Sequence, residues 1–514
     1  MDKSYLAQLS RRQFIRQAAC AALGTGALAS AIRDLRYMNA AVAQSNIGPT
    51  DYKALVCIFM AGGNDSNNLI VPTITSEYNN YATIRTPVLA LPQSSLVPIS
   101  PLISDGHSYG LHPVCLGTNG LGLKPLFDAG RLAILFNAGT LAYPMTKAQY
   151  NSNPSHRPPQ LFSHADQVTQ WQTSVPDQPP VNGWGGRTAD LLNAVETNAP
   201  VSLSITLAGA NTFEVGNMVS QYSVSTSGAI PFQGISGARQ TALTNILRQV
   251  YPNLQDKAYS DVAFHSLNTG TVLNNAIALT ANTNNGNTQF WSTPFPGSGT
   301  SGAPKLTNPQ SGSVFNSSLG PQLNMIARLI EAGSRTVANG GFGMLRQIFF
   351  CQVGGYDLHT GQTDVPNNGS VLNGAHSNLL YELSQCMNVF QAAMDQIGGM
   401  TQHTDPTFAN RVTAFTASDF GRTFPSNGLG SDHGWGSHHL IMGGAVQGQK
   451  TYGIFPTLTV GGPDDTSTGR WIPTTACDQY FATLATWFGV DNTNLTTVFP
   501  NLGRFTSSNL GFMG

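Results

Sequence analysis

"ALVCIFMAGGNDSNNLIVP", residues 54–72, decides the fold class. An unbroken apolar run through Met60 stops at Gly62-Gly63-Asn64-Asp65, which reads as a strand buried on both faces and ended by a turn. A strand covered on both faces belongs to a parallel sheet with helices on either side. The same pattern returns in "RLAILFNAG" (131–139), "VSLSITLAG" (201–209), "RQIFFCQVGG" (346–355) and "RVTAFTASDFG" (411–421). Between them lie helical patterns. "PQLNMIARLIEAG" (321–333) opens on Pro and closes on Gly, and "NLLYELSQCMNVFQAAMDQIG" (378–398) spaces its apolar residues by three and four. The expectation is α/β: a largely parallel sheet sandwiched between helices.

The chain has 514 residues, a net charge of −1 and only 10% charged residues, against about 25% in ordinary soluble domains. Without a basic field, a nucleic-acid partner is not expected. Low charge with abundant Gly, Asn, Ser and Thr suits an exported protein. The N-terminus gives export a route: "SRRQFIR" (10–16) is a twin-arginine pattern, followed by a short apolar run and the small-residue box Ala41-Val42-Ala43. Residues 1–43 therefore read as a leader that is removed, leaving a periplasmic or secreted protein with no stable membrane span. Twin-arginine export carries folded proteins, which suits a chain loaded with a metal or cofactor beforehand.

Residues 44–514 read as one large domain. Within it, 265–318 forms a polar excursion, since Lys305 is the only Lys, Arg, Asp or Glu between Asp261 and Arg328. Past the leader the cysteines number five and are widely spaced, so no disulfide framework follows; Cys57 and Cys351, inside apolar runs, read as buried thiols.

In doubly wound sheets, ligands gather beyond the carboxyl ends of the strands. The strand at 54–60 leads to Asn64 and Asp65, that at 346–353 to Asp357 and His359, and that at 411–417 to Asp419, Arg422 and a loop with Asp432 and His433. Carboxylates with imidazoles suit Zn, Mn or Fe; carboxylates with amide oxygens suit Ca or Mg. A divalent ion is expected there. Each residue also has a plainer role open to it: Asp65 as a turn former, Arg422 as partner to a carboxylate rather than to a bound anion, and His438 and His439 as buried, hydrogen-bonded side chains.

"LVCIFMAGGNDSNNLIVP", "LHPVCLGTNGLGLKPLFDAGRLAILFNAG", "FSHADQ", "NGWGGR", "GGYDLHTGQ", "SDFGRT", "SDHGWGSHHLIMGG" and "TYGIFPTL", in this order, resemble the domain-of-unknown-function 1501 family over nearly the whole mature chain. That family is placed by similarity among alkaline-phosphatase and sulfatase-like proteins. The resemblance implies that architecture and assigns Asp65, Asp357, His359, Asp419 and His433 as metal ligands. It also puts Ser163 at the nucleophile position, with His164 and Arg422 completing the catalytic set; Ser163 has the plainer role of capping a helix that begins near Ala165 open to it as well. Phe420 departs from the pattern, standing where a ligand histidine is usual; this favours one ion, or a calcium-like site with Asn64 or Asn427 contributing. The Cys-x-Pro-x-Arg signature of formylglycine sulfatases is absent. The implied activity is metal-dependent hydrolysis of sulfate, phosphate or related esters on a small molecule or polysaccharide. The rival is a non-catalytic exported protein, for binding or envelope assembly, with a degenerate metal site.

Overall fold

The computed structural model describes residues 51–179, 182–193, 201–230, 235–280, 291–299, 303–400, 403 and 405–514. The leader at 1–43 lies outside them. The opening stretch forms β1 (Lys53–Met60), buried from Ala54 onward. It takes the centre of a ten-stranded sheet with β2 (Leu132–Gly139), β3 (Ser204–Thr206), β4 (Tyr222–Ser225), β5 (Gly228–Ala229), β6 (Arg346–Val353), β7 (Val412–Ser418), β8 (Ser437–Gly443), β9 (Lys450–Tyr452) and β10 (Thr475–Ala476). The order is β9-β2-β8-β7-β1-β6-β3-β4-β5, with β10 also on β2. β1 is parallel to both neighbours, β6 and β7, and so reads as a continuous apolar run. The sheet is mixed rather than purely parallel, because β8 runs antiparallel to β7 and β2.

Helices cover both faces. Trp171, in α1 (His164–Thr173), and Tyr480, in α2 (Cys477–Phe488), both pack on His439, so these two helices share a side. His438, the preceding residue of β8, points the opposite way and meets Phe455. The expected helices occupy Leu319–Ser334 and Ala375–Ile397, each a few residues longer than its apolar pattern. The strand expected over 201–209 shrinks to Ser204–Thr206. The expected polar excursion begins inside a helix, Leu254–Ala278, whose charged residues, Asp256, Lys257 and Asp261, all lie in its first turns, ahead of residue 265.

A large apolar core takes in residues from Tyr52 to Phe512, and a smaller cluster gathers Leu141, Trp435, Ile472 and Ala476. Cys57, Cys115, Cys351, Cys386 and Cys477 are buried free thiols. Among the described residues no helix is long and apolar enough to cross a membrane.

For the site, the register of the three central strands matters most. Met60 pairs with Val353 on one side and Ser418 on the other, so β6, β1 and β7 end level. Their following loops open at one edge of the sheet.

Candidate functional site

At that edge Gly62 makes the turn after β1 with φ 116°, and a Cβ there would lie 2.3 Å from the Asp357 nitrogen. Only glycine fits. Its N–H donates to Asp419 Oδ1 at 3.0 Å, and its carbonyl accepts from Arg422 Nη1 at 3.2 Å. One turn thus ties the loops after all three central strands.

Three imidazoles and a carboxylate meet above this turn. His164 comes from the first position of α1, Asp357 and His359 from the loop after β6, and His433 from the long loop between β7 and β8. A backbone bridge from Arg422 to His433 closes that loop. His433 Nε2 lies 3.1 Å from His164 Nε2, 2.9 Å from His359 Nε2 and 3.3 Å from Asp357 Oδ1. His359 Nε2 lies 3.2 Å from Asp357 Oδ1, and His164 Nε2 lies 3.4 Å from Asp357 Oδ2. Ligand atoms of His164, Asp357 and His433 all fall within 4.8 Å of one another.

The opposite nitrogens explain the convergence. His164 Nδ1 contacts Asp419 Oδ2 at 2.6 Å, His359 Nδ1 contacts Asp432 Oδ1 at 2.8 Å, and His433 Nδ1 contacts the Phe162 carbonyl at 2.8 Å. Each partner accepts only, so each Nδ1 carries a proton, and a ring in its neutral form turns its Nε2 lone pair inward. Lone pairs this close repel unless a proton or a cation lies between them. Burial, with the charges of His164 and Arg422, lowers the His433 pKa against the Phe162 hydrogen bond and Asp357, which favours its neutral form. Burial would raise the Asp357 pKa, but the Arg422 hydrogen bond and charge outweigh it and keep the carboxylate ionised. The same balance holds Asp432 low, through Asn427 and His359. The cluster stays open to solvent: the His164, His359 and Asp357 side chains are 35%, 42% and 44% exposed.

Expected residues divide between this cluster and its supports. Asp357, His359 and His433 come together as anticipated, and His164 joins them as a potential ligand rather than standing beside a nucleophile. Asp419 lies behind: one oxygen takes the Gly62 N–H and the other holds His164. Asp65 faces elsewhere, because its carboxylate is bound by Arg85, Gln362 and Asn67 in the interior. The guanidinium of Arg422 is buried and spent on Gly62, Asp357 and Ser431, so it orients Asp357 and is not presented to a bound anion. Ser163 precedes α1, and its hydroxyl donates to Asp166 at 2.6 Å. Asn427 turns its amide oxygen to its own loop, and Asn64 Oδ1 meets His376. Neither supplies the cluster.

Phe420 fills the place where a ligand histidine was looked for, its ring 4.8 Å from that of His164 and 4.6 Å from that of His433. It gives the cluster an apolar floor. Two supports had no advance assignment: Asp432, visible in the loop but without a role, and the Phe162 carbonyl, for which sequence carries no signal. Phe162 holds φ 74°, a conformation that costs an aromatic residue energy and occurs where surrounding structure enforces it.

Fold and site together define an α/β protein with a solvent-open His/Asp cluster at the ends of its central strands. Residues 52–499 match the family model described as "Protein of unknown function (DUF1501)", and the chain belongs to that family. No curated protein matches it.

Proposed function

We propose that this chain is an exported metal-dependent hydrolase of sulfate, phosphate or related esters, of alkaline-phosphatase-like architecture. One observation carries the reading: three imidazoles each commit Nδ1 to an acceptor outside the cluster, and their Nε2 lone pairs meet beside the Asp357 carboxylate. Imidazole nitrogens with one carboxylate, each backed by a second hydrogen bond, suit Zn, Mn or Fe better than Ca or Mg. His164, Asp357 and His433 would hold the ion, with His359 at hand. When bound there, a divalent ion supplies Lewis acidity and makes a neighbouring water more acidic.

The remaining work falls to the chain itself. Arg422 holds Asp357 in place, Asp419 and Asp432 fix the tautomers of His164 and His359, and Phe420 keeps bulk water from beneath the rings. Ser163, engaged by Asp166, is not needed as a nucleophile; attack by water is the mechanism we favour. The twin-arginine leader supports export, and loading of the metal before it.

Elemental analysis of protein exported by its own leader, after exhaustive dialysis, tests the metal. We expect retained Zn, Mn or Fe, lost in Asp357→Ala and His433→Ala together with turnover of aryl phosphate or sulfate esters. Absence of any such metal would sink the hydrolase. Phe420 favours a second reading, a non-catalytic binder with a single ion. Retained metal without turnover of any ester offered would select it.

A further inference from the structure

Phe162 belongs to two places at once. Its carbonyl holds His433, and the residue also lines an open cleft of about 550 Å³ together with Tyr150, Pro154, Ser155, Arg157, Pro159 and Asp177. A cleft of this size takes a small organic ligand. A second cavity, of about 360 Å³ beside Leu254–Ala278, shares no residue with the histidine cluster and is lined by no charged side chain.

The groups facing the first cleft are unspent. Arg157 stacks 4.0 Å over the Tyr150 ring and donates Nε to the Tyr150 carbonyl at 2.6 Å, which fixes the guanidinium. Its two Nη groups have no hydrogen-bond or carboxylate partner among the described residues, and neither the Tyr150 hydroxyl nor the Ser155 hydroxyl makes a hydrogen bond there. Asp177 differs: Arg504 and Asn501 hold it at 2.6 Å and 2.8 Å, so its charge is already answered. Arg470, which does not line the cleft, stacks 4.2 Å over the Phe162 ring while donating to the His433 carbonyl at 2.8 Å. Two fixed guanidinium groups thus stand near Phe162, one lining the cleft and one beside the cluster.

We infer that the cleft binds an acidic saccharide, seating a sugar ring against Tyr150 and the prolines, with a sulfate or carboxylate of that ring on Arg157. Arginine's planar fork suits such oxyanions. Proline and aromatic edges suit the apolar face of a sugar, and the free hydroxyls suit its ring oxygens. The inference rests on the hydrolase reading only in making this ring part of the substrate: the scissile ester would lie over the cluster, and the neighbouring acidic sugar would lie past Phe162.

Calorimetric titration of the full mature protein tests it, with a 6-O-sulfated disaccharide, its desulfated parent and sodium sulfate as probes, before and after chelation of metal. We expect the sulfated disaccharide to bind at least about tenfold more tightly than either of the others, in metal-free protein as well. Arg157→Gln should erase the preference for sulfate. Ser155→Trp, which breaks no side-chain hydrogen bond of the folded chain and fills the cleft, should abolish binding at an unchanged melting temperature. Equal binding of the desulfated sugar, competition by sodium sulfate alone, or indifference to both substitutions would overturn the inference. Arg157-dependent binding by a protein that retains no metal would leave the cleft standing and remove the hydrolase. Retained metal and ester turnover without disaccharide binding would do the reverse.

Discussion

Asp65 and Asp357 follow neighbouring parallel strands, and each holds a buried arginine, yet they do opposite things. The Asp65–Arg85 pair is sealed, with side chains 2% and 0% exposed; Arg85 also donates to the Thr423 and Phe424 carbonyls, and Gln362 takes up the same carboxylate. In the Asp357–Arg422 pair only the arginine is buried, and the carboxylate, 44% exposed, turns its remaining lone pairs toward three imidazoles. An aspartate after a strand is therefore a ligand or a structural anion according to what its other oxygen faces. Spacing in the sequence does not record that.

The sealed pair carries the largest expected effect. Asp65→Ala strands the Arg85 guanidinium without its counter-ion, and we expect a loss of about 3–5 kcal/mol in urea unfolding, with metal retained by the folded fraction. A stable but metal-free Asp65→Ala protein would show that Asp65 belongs to the metal site after all.

Asp419 gives a smaller effect on the open side, since it acts on the cluster only through His164. Asp419→Asn should weaken metal affinity by about 10- to 100-fold, as loss of such a second hydrogen bond usually does, with little change in the metal-free melting temperature. Competition with a chelator measures it. Complete loss of metal would promote Asp419 to direct ligand.

Histidines sharpen the contrast next. His439 is fully buried among Trp171 and Tyr480, and its Nε2 finds no partner. Burial, with His438 adding to it, pushes its pKa down to about 3, whereas an unfolded histidine titrates near 6.5. Between those values the unfolded chain binds the extra proton, so this contribution is complete above about pH 6.5 and is lost as pH falls toward 3. His439→Phe should change stability by less than about 1 kcal/mol at pH 8 and lose less stability than the parent between pH 7 and 5. Parallel acid limbs in the two proteins would mean that the ring is charged or hydrated in place.

These cases also mark how far the sequence speaks. Continuous apolar runs announced β1, β2, β6 and β7, because strands covered on both faces have no polar side to show. β8 carries an apolar run too, Leu440–Met442, but its direction cannot be read from it, since antiparallel pairing depends on where the loop after Asp419 returns. At the site, the loops bearing Asp357, His359 and His433 were identifiable because Asp and His are scarce in a chain so poor in charge. Asp65 resembled them in every local respect. What separated it was Arg85, 20 residues away in sequence, and Gln362, 297 away. The Phe162 carbonyl was invisible, since every residue has one.

Ser163 carries the smallest expected effect and the sharpest choice of mechanism. Its backbone enters α1 one residue ahead of His164, so it stands close to the cluster along the chain, and the resemblance put a nucleophile there. Its hydroxyl, however, donates to Asp166 at 2.6 Å, an interaction within the first turn of the helix. A serine so used contributes to helix stability, and Ser163→Ala should cost about 1 kcal/mol or less. A serine that formed the covalent ester would, on removal, cost several orders of magnitude in turnover while leaving metal and melting temperature alone. We expect the first outcome: metal retained, a slightly lower melting temperature and ester hydrolysis within about twofold of the parent. Turnover abolished at full metal content would mean that the hydroxyl leaves Asp166 when substrate binds, and the water mechanism would give way to a serine ester.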